Sequence, residues 1–175
     1  FKADFLAGKS PAVAEGRFKK ALEEIKRGGD LDLLEKVHLT RLALRIAALE
    51  EAGDEAYLAV AAAGTSRENR NFHLFLKGAV GQVDDGLLPD RYRPFWSALK
   101  KSSGVAKSVA EVPEPLSRLV AAAIAVRLLG DDEQILQTAV DTAGQNGWKR
   151  PLLAWLGRQE AFYAAKGDTL RAAQV

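Results

Sequence analysis

The stretch PEPLSRLVAAAIAVRLLGD, residues 113–131, decides the fold. Prolines at 113 and 115 open it and Gly130-Asp131 closes it. Proline suits the first turn of a helix and glycine the position just past its end. Between these marks, Leu119 to Leu129 is apolar except for Arg127, and Arg118 precedes it. Alanine and leucine are strong helix formers, so the run reads as a helix, and one too short for a membrane span. A helix that is apolar on nearly every side belongs in the interior of a multi-helix pack.

Outward from this segment the same grammar recurs. Upstream, Ser10-Pro11 is a helix start, and Ala14, Phe18, Ala21, Leu22 and Ile25 follow at the helical period until Gly28-Gly29. Asp30 or Asp32 caps the next helix, which reads on to about Ala52 and is apolar over most of its girth. Its one polar stripe is Glu35, His38, Arg41 and Arg45. Gly53-Asp54 leads to a shorter helix over 55–63. From Arg67 a further helix places Phe72, Phe75, Leu76, Ala79 and Val80 on one face. Tyr92, Phe95 and Trp96 begin another that ends near Lys101. Downstream, Ile135, Leu136, Ala139 and Ala143 mark one helix, and Leu152, Trp155, Leu156, Phe162 and Tyr163 a long last one. Gly167-Asp168 opens a final short segment, and Phe1 to Lys9 is a lead-in without a clear pattern. No alternating apolar run with a hairpin turn stands anywhere in the chain. The expectation is an all-α chain, a single domain over 1–175, of about seven to nine helices stacked as antiparallel hairpins.

Composition agrees. The chain has 175 residues, 47% of them hydrophobic and 27% charged, which is ordinary for a folded domain. A net charge of +2 does not by itself argue for a polyanionic partner. The middle is mildly basic, with Arg67, Arg70, Lys77, Arg91, Arg93, Lys100, Lys101 and Lys107 against Glu68, Asp84, Asp85 and Asp90. The absence of cysteine excludes disulfides, thiolate metal ligands and a cysteine nucleophile, and with two histidines a zinc site is not expected. No cofactor is called for. The chain begins at Phe1 and holds no methionine, which fits a trimmed chain or a mature one whose leader has been cut.

Three joints resemble one another: Ala47–Asp54, Val126–Asp131 and Ala161–Asp168 each end an apolar helix on Gly-Asp. Glycine is suited to the left-handed position after a helix, and aspartate to accepting from the free N–H groups of the next. Gly130 and Gly167 stand about one mid-thirties repeat apart. With Trp155-Leu156-Gly157, Phe162-Tyr163, Gly167-Asp168 and Ala172, the last third of the chain resembles the tetratricopeptide family, a residue off that family's spacing and without its terminal proline in register. The resemblance implies a helical-hairpin repeat whose inner helices hold a peptide through Arg and Asn side chains. Arg67, Asn69, Arg70, Asn71 and His73, clustered at a helix start, suit that role, with Tyr92 and Arg93 as neighbours.

Other constellations are thinner. Gly8-Lys9-Ser10 copies the tail of a P-loop but lacks the upstream glycine and a preceding strand, without which the backbone cannot cradle phosphate. Asp84-Asp85 and Asp131-Asp132 lack the alternating oxygen ligands of a calcium loop and suit helix capping. Glu35, His38 and Arg41 share a helix face that would serve acid–base chemistry, or simply orient a mostly apolar helix. Arg91, Arg93, Lys100 and Lys101 around Tyr92 and Trp96 are the residues a nucleic-acid binder would use. The reading that fits most of these residues is a non-catalytic scaffold for a protein or peptide, compatible with a bacterial envelope or periplasmic protein of lipoprotein type. A small helical enzyme or ligand binder using Glu35/His38/Arg41 and a nucleic-acid binder stand as the alternatives.

Overall fold

A computed structural model describes residues 1–175, the side chain of Pro11 excepted. The chain is all-α, with eleven α-helices. In order they are α1 (Lys2–Leu6), α2 (Pro11–Gly28), α3 (Leu31–Ala47), α4 (Glu55–Ala61), α5 (Arg67–Lys77), α6 (Arg93–Lys100), α7 (Val105–Ala110), α8 (Pro115–Leu129), α9 (Glu133–Gln145), α10 (Lys149–Ala165) and α11 (Thr169–Ala172). Two 3-10 turns, Asp85–Leu87 and Asp90–Tyr92, lie between α5 and α6. The surplus over seven to nine helices comes from two short pieces that the sequence reading lacked, α1 and α7.

α8 is the axis of the structure. Leu119 through Val126 are all buried. Ala121, Ala122, Ala123 and Ala125 carry nothing beyond Cβ, so neighbours pack closely on every side. α3, α5, α7, α9 and the second 3-10 turn all rest on it. Leu39, Leu42, Ala43 and Ile46 of α3 share one apolar cluster with it, and so do Phe75, Phe95 and Trp96. Each fully buried Leu, Ile, Val or Phe contributes about 1.5–3 kcal/mol. Neighbours in the chain pair as antiparallel hairpins, α2 with α3, α8 with α9 and α9 with α10, and the hairpins stack across the α3–α8 contact.

α10 is tied to the far end of α3 by two polar contacts. The buried Trp155 indole N–H donates to the Ala47 carbonyl at 2.9 Å, closing one of the carbonyls a helix end leaves free. The Arg150 guanidinium meets Glu50 at 2.5 Å and lies 4.2 Å from the Phe5 ring centroid. The lead-in is itself a helix. Phe5 and Leu6 of α1 are buried with Leu44 of α3 and Ala48 just past its end, and Asp4, 3% exposed, takes Lys9 at 2.8 Å and Arg17 at 2.7 Å.

Several boundaries differ from the sequence reading. α2 buries Ala14 and Phe18, while Leu22 and Ile25 are half-covered and Ala21 is exposed, because α2 outruns the helices available to cover it. Ser10 stands at its N-cap without a side-chain bond, whereas Asp30 caps α3 by accepting from the Leu33 N–H at 2.9 Å. α3 stops at Ala47, a turn before Ala52, where Leu49 takes a left-handed φ of 55°. α5 ends at Gly78, also left-handed, leaving Ala79 and the exposed Val80 outside the helix. The three Gly-Asp joints are not alike in geometry. Gly167 is left-handed and Asp168 caps α11, as expected. After Gly130 the cap is Asp132, because Asp131 is drawn to Arg158. At Gly53 the left-handed position falls on Leu49, and Asp54 turns to His73.

The two fully buried tryptophans differ in one respect. The Trp155 N–H is paired, whereas the Trp96 N–H has no acceptor among the described residues. Replacement by Phe removes similar volume at each site, but at position 155 it also strands the Ala47 carbonyl, and at 96 it relieves an unpaired donor. Urea unfolding should show Trp155→Phe losing about 1–3 kcal/mol more than Trp96→Phe; equal losses would mean the Ala47 bond contributes nothing. A second expectation concerns acid. The Lys9 hydrogen bond, opposed by burial and helped by Arg17, holds the Asp4 carboxyl at about 2 against an ordinary 3.8. The depressed value means that its contribution is full above pH 3.8 and is lost as pH falls through about 2. Amide exchange in α1 should accelerate over that interval, and Asp4→Asn should remove the pH step while leaving α1 looser at neutral pH.

Candidate functional site

A helix leaves its last four carbonyls without intrahelical partners and carries partial negative charge at that end. In this fold the ends of α3, α5 and α8 converge, and a cleft of about 890 Å³ opens between them. Leu49 presents apolar surface to it, over a floor of Leu42, Ile46, Leu76 and Val126 that the core already buries. Arg45, Lys77 and Arg127, each from the last turn of its helix, line it together with Arg158 of α10, Glu50 and Glu51.

Three of the four cations have carboxylate partners. Arg45 lies 3.5 Å from Glu50, Lys77 3.2 Å from Asp54 and Arg158 2.5 Å from Asp131. Arg127 instead donates through Nη2 to the Leu76 carbonyl at 2.7 Å, sealing the end of a neighbouring helix. Among the described residues it has no carboxylate within ion-pair distance; its side chain is still exposed, and the partial cover of its inner end lowers its pKa. Gly78 makes this approach possible. Its φ of 72° favours glycine, and a Cβ there would lie 3.2 Å from both Arg127 Nη2 and Leu128 Cδ1.

The wall formed by residues 48–53 is a tight reversal. The Leu49 N–H donates to Ile46 at 2.9 Å and the Glu50 N–H to Arg45 at 3.0 Å, the paired pattern of a helix ending on a left-handed residue. A leucine there is strained by about 1–2 kcal/mol. Behind the wall lies a notch of about 30 Å³, room for a single water, lined by His38, Arg41, Asp54 and Tyr57 among others. It shares Leu42, Arg45 and Gly53 with the cleft.

The residues singled out in the sequence scatter. Arg67 and Arg70 face solvent. Asn69 is buried, and its amide donates to Asp32 at 2.8 Å and Glu35 at 2.6 Å. Asn71, also buried, donates to the Asp84 carbonyl at 2.9 Å and accepts from the Asp84 N–H at 2.7 Å, pinning the loop after α5. His73 stacks on Tyr57 at 4.4 Å and meets Asp54 at 2.7 Å. Burial raises the Asp54 pKa, but the hydrogen bonds from His73 and Lys77 outweigh it and hold the carboxyl below its ordinary value. Tyr92 is buried against Phe75, and Arg93 binds the carbonyls of Leu88 at 2.9 Å and Gly86 at 3.0 Å.

The Glu35/His38/Arg41 stripe also divides. Glu35 is 1% exposed and accepts from Thr65 at 2.9 Å and Asn69 at 2.6 Å, away from the notch that His38 lines. Arg41 holds Glu15 at 2.9 Å through both carboxylate oxygens and covers the Phe18 ring. Burial, then Arg41 and Lys26, lower the His38 pKa, which keeps the imidazole neutral at pH 7. The described residues contain no group of three or more potential ligands placed to hold a metal ion, and no helix long and apolar enough to cross a membrane. Sequence reasoning missed the cleft because its residues come from four separate helices. The one local signal was Arg127, a lone cation inside an apolar run.

Compared with protein-family models, with curated proteins and with solved structures, the chain matches none.

Glu35 is a buried carboxylate with two neutral donors, no ion-pair partner among the described residues, and an Oε1 without a hydrogen bond. Glu35→Gln keeps an acceptor for Thr65 and Asn69 and removes a buried charge, so it should match or exceed the parent's stability. Glu35→Ala strands both donors and should lose about 2–4 kcal/mol in a denaturant titration. A Gln variant as unstable as the Ala variant would show that the charge itself is needed.

Proposed function

We propose that the chain is a non-catalytic helical scaffold that binds a protein or peptide segment in the cleft between the ends of α3, α5 and α8. The observation that carries this reading is the cleft itself, an open, charge-rimmed depression presented where the ends of three stacked helices meet. The resemblance of the last third to tetratricopeptide repeats points the same way, since such arrays display binding surfaces on stacked hairpins. We place the contact in the cleft rather than at the Arg67–Arg93 cluster, where Arg67 and Arg70 face solvent but Asn69, Asn71, Tyr92 and Arg93 are taken up by internal bonds and packing.

The two alternatives draw less support. Acid–base chemistry would bring Glu35 and His38 to one cavity, and Glu35 does not line the notch beside His38. Nucleic-acid binding would use exposed rings and free cations. Tyr92 and Trp96 are buried, Arg91 bonds Ser117, Arg93 is tied to loop carbonyls and Lys100 is paired with Asp85, which leaves Lys101 alone of the four cations exposed without a bond among the described residues.

Leu49→Asn tests the scaffold reading with little damage to the fold. Asparagine accepts the left-handed conformation better than leucine and removes the apolar side chain from the cleft. The change should leave Tm within a few degrees of the parent's. Affinity capture should recover a discrete polypeptide on the parent protein, lose it on Leu49→Asn, and keep it on Arg67→Ala/Arg70→Ala. Loss on the double alanine variant alone would move the contact to the start of α5, and capture of nothing at all would remove the support for a scaffold.

A further inference from the structure

The joint between α9 and α10 holds a reactive pair, Asn146-Gly147. The side-chain carbonyl carbon of an asparagine is open to attack by the backbone nitrogen of the next residue, and glycine, without a Cβ, hinders that attack least. The Gly147 nitrogen bonds to Asn146 Cγ, the Cγ–Nδ2 bond breaks, the leaving amide takes the Gly147 proton away as ammonia, and a cyclic imide remains. Water then opens the imide. Cleavage on the Cγ side gives aspartate, and cleavage on the backbone side gives isoaspartate, whose chain runs on through Cβ. The other two asparagines, Asn69 and Asn71, precede Arg70 and Phe72 and are buried in α5.

The end of α9 holds this pair out of reaction. The Trp148 N–H donates to the Ala143 carbonyl at 3.0 Å and the Gly147 N–H to the Gly144 carbonyl at 3.0 Å, with Gly147 left-handed at a φ of 63°. The attacking nitrogen is thus committed to Gly144. Asn146 has a ψ of 1°, which leaves that nitrogen about 120° from the eclipsed position over Cβ that ring closure requires. The Asn146 amide is turned back along α9 and donates to the Thr142 carbonyl at 2.8 Å. Asn146 and Gly147 are both exposed, so water has access and the cap is the only lock. Its latch is Trp148, half-buried and packed against both apolar clusters. We propose that Asn146-Gly147 is a deamidation site gated by this cap, reacting only in the fraction of time that the end of α9 stands open. The product then keeps the cap from closing. A carboxylate cannot donate to Thr142 and sets negative charge at a helix C-terminus, and isoaspartate lengthens the backbone just before Trp148. The joint so loosened is the one that fixes α10, which carries Arg150 and Trp155 to the end of α3.

The test holds the whole chain, folded or in guanidinium chloride, and a synthetic peptide of residues 143–150 in the same mildly alkaline buffer. Peptide mapping by mass spectrometry reads the exchange of NH2 for OH at each asparagine. Asn146 should convert at least about tenfold more slowly in the folded chain than in the peptide or the unfolded chain, and ahead of Asn69 and Asn71 in all three. Asn146→Gln, whose longer side chain must close a larger ring, should abolish the change at that position. Trp148→Ala, checked for retained helix by circular dichroism, should raise the folded rate several-fold. A series at low denaturant makes the same test without a substitution, since the rate should climb before the fold is lost. Asn146→Asp, which carries the product's charge from the start, should melt a few degrees below the parent. Equal rates in the folded chain and the peptide, conversion of Asn69 or Asn71 first, a rate that stays flat until global unfolding, or a folded Trp148→Ala variant with the parental rate overturns the proposal. An Asn146→Asp variant that melts with the parent refutes the loosening of the joint.

Discussion

α8 has no face that water can wet for eight consecutive positions, and that constraint arranges the rest. Leu119 to Val126 are buried on every side, so helices must stand all around it, and its alanines let them stand close. Close packing around a short axis brings helix ends together as well as helix sides. The carbonyls at those ends then need donors from elsewhere in the chain. Trp155 answers for Ala47 and Arg127 for Leu76, each from a different helix. These bonds are long-range in sequence and local in space, so they couple the hairpins to one another. The cleft is the space left where three such ends meet and no side chain is long enough to fill the gap.

What could be read in advance was what depends on near neighbours in sequence. The α8 boundaries and the Gly29–Asp30 joint follow from φ preferences and capping, which act within a few residues. The end of α3 could not be read this way. Its left-handed residue is Leu49, which carries no signal, and the turn is secured by Arg150 on Glu50 and Trp155 on Ala47, partners about a hundred positions downstream. The Gly-Asp joints show the same limit. Asp131 would have been free to cap α9 had Arg158 not taken it, and Asp54 likewise leaves α4 for His73 and Lys77. Similar letters therefore gave dissimilar turns, because tertiary partners competed for the same carboxylates.

The polar cluster at the start of α5 was legible as unusual and illegible as to purpose. An amide in a sequence reads the same whether it reaches outward for a ligand or inward for a carboxylate. Here Asn69 holds Asp32 and Glu35, and Asn71 holds the Asp84 backbone at both of its functional ends. Buried polar groups are nearly always satisfied, so a cluster that turns out to be buried explains itself structurally. The informative residue is the reverse case. Arg127 keeps an exposed side chain with a single carbonyl partner, and its oddity was already visible as one charge inside an apolar helix.

Leu49 adds an independent line to the same place. A left-handed aliphatic residue is strained by about 1–2 kcal/mol, and glycine or asparagine would close the α3 turn without it. Leu49 recovers some of that by packing at the edge of the main apolar cluster. It remains half-buried, and the rest of its surface faces the cleft. The fold alone would therefore be served about as well by a smaller or more polar side chain. Backbone strain of this kind gathers where a side chain must be presented for something other than stability. The strained Leu49 thus marks the one wall of the cleft whose aliphatic side chain the core does not fully cover, while Leu42 and Ile46 beside it are already buried.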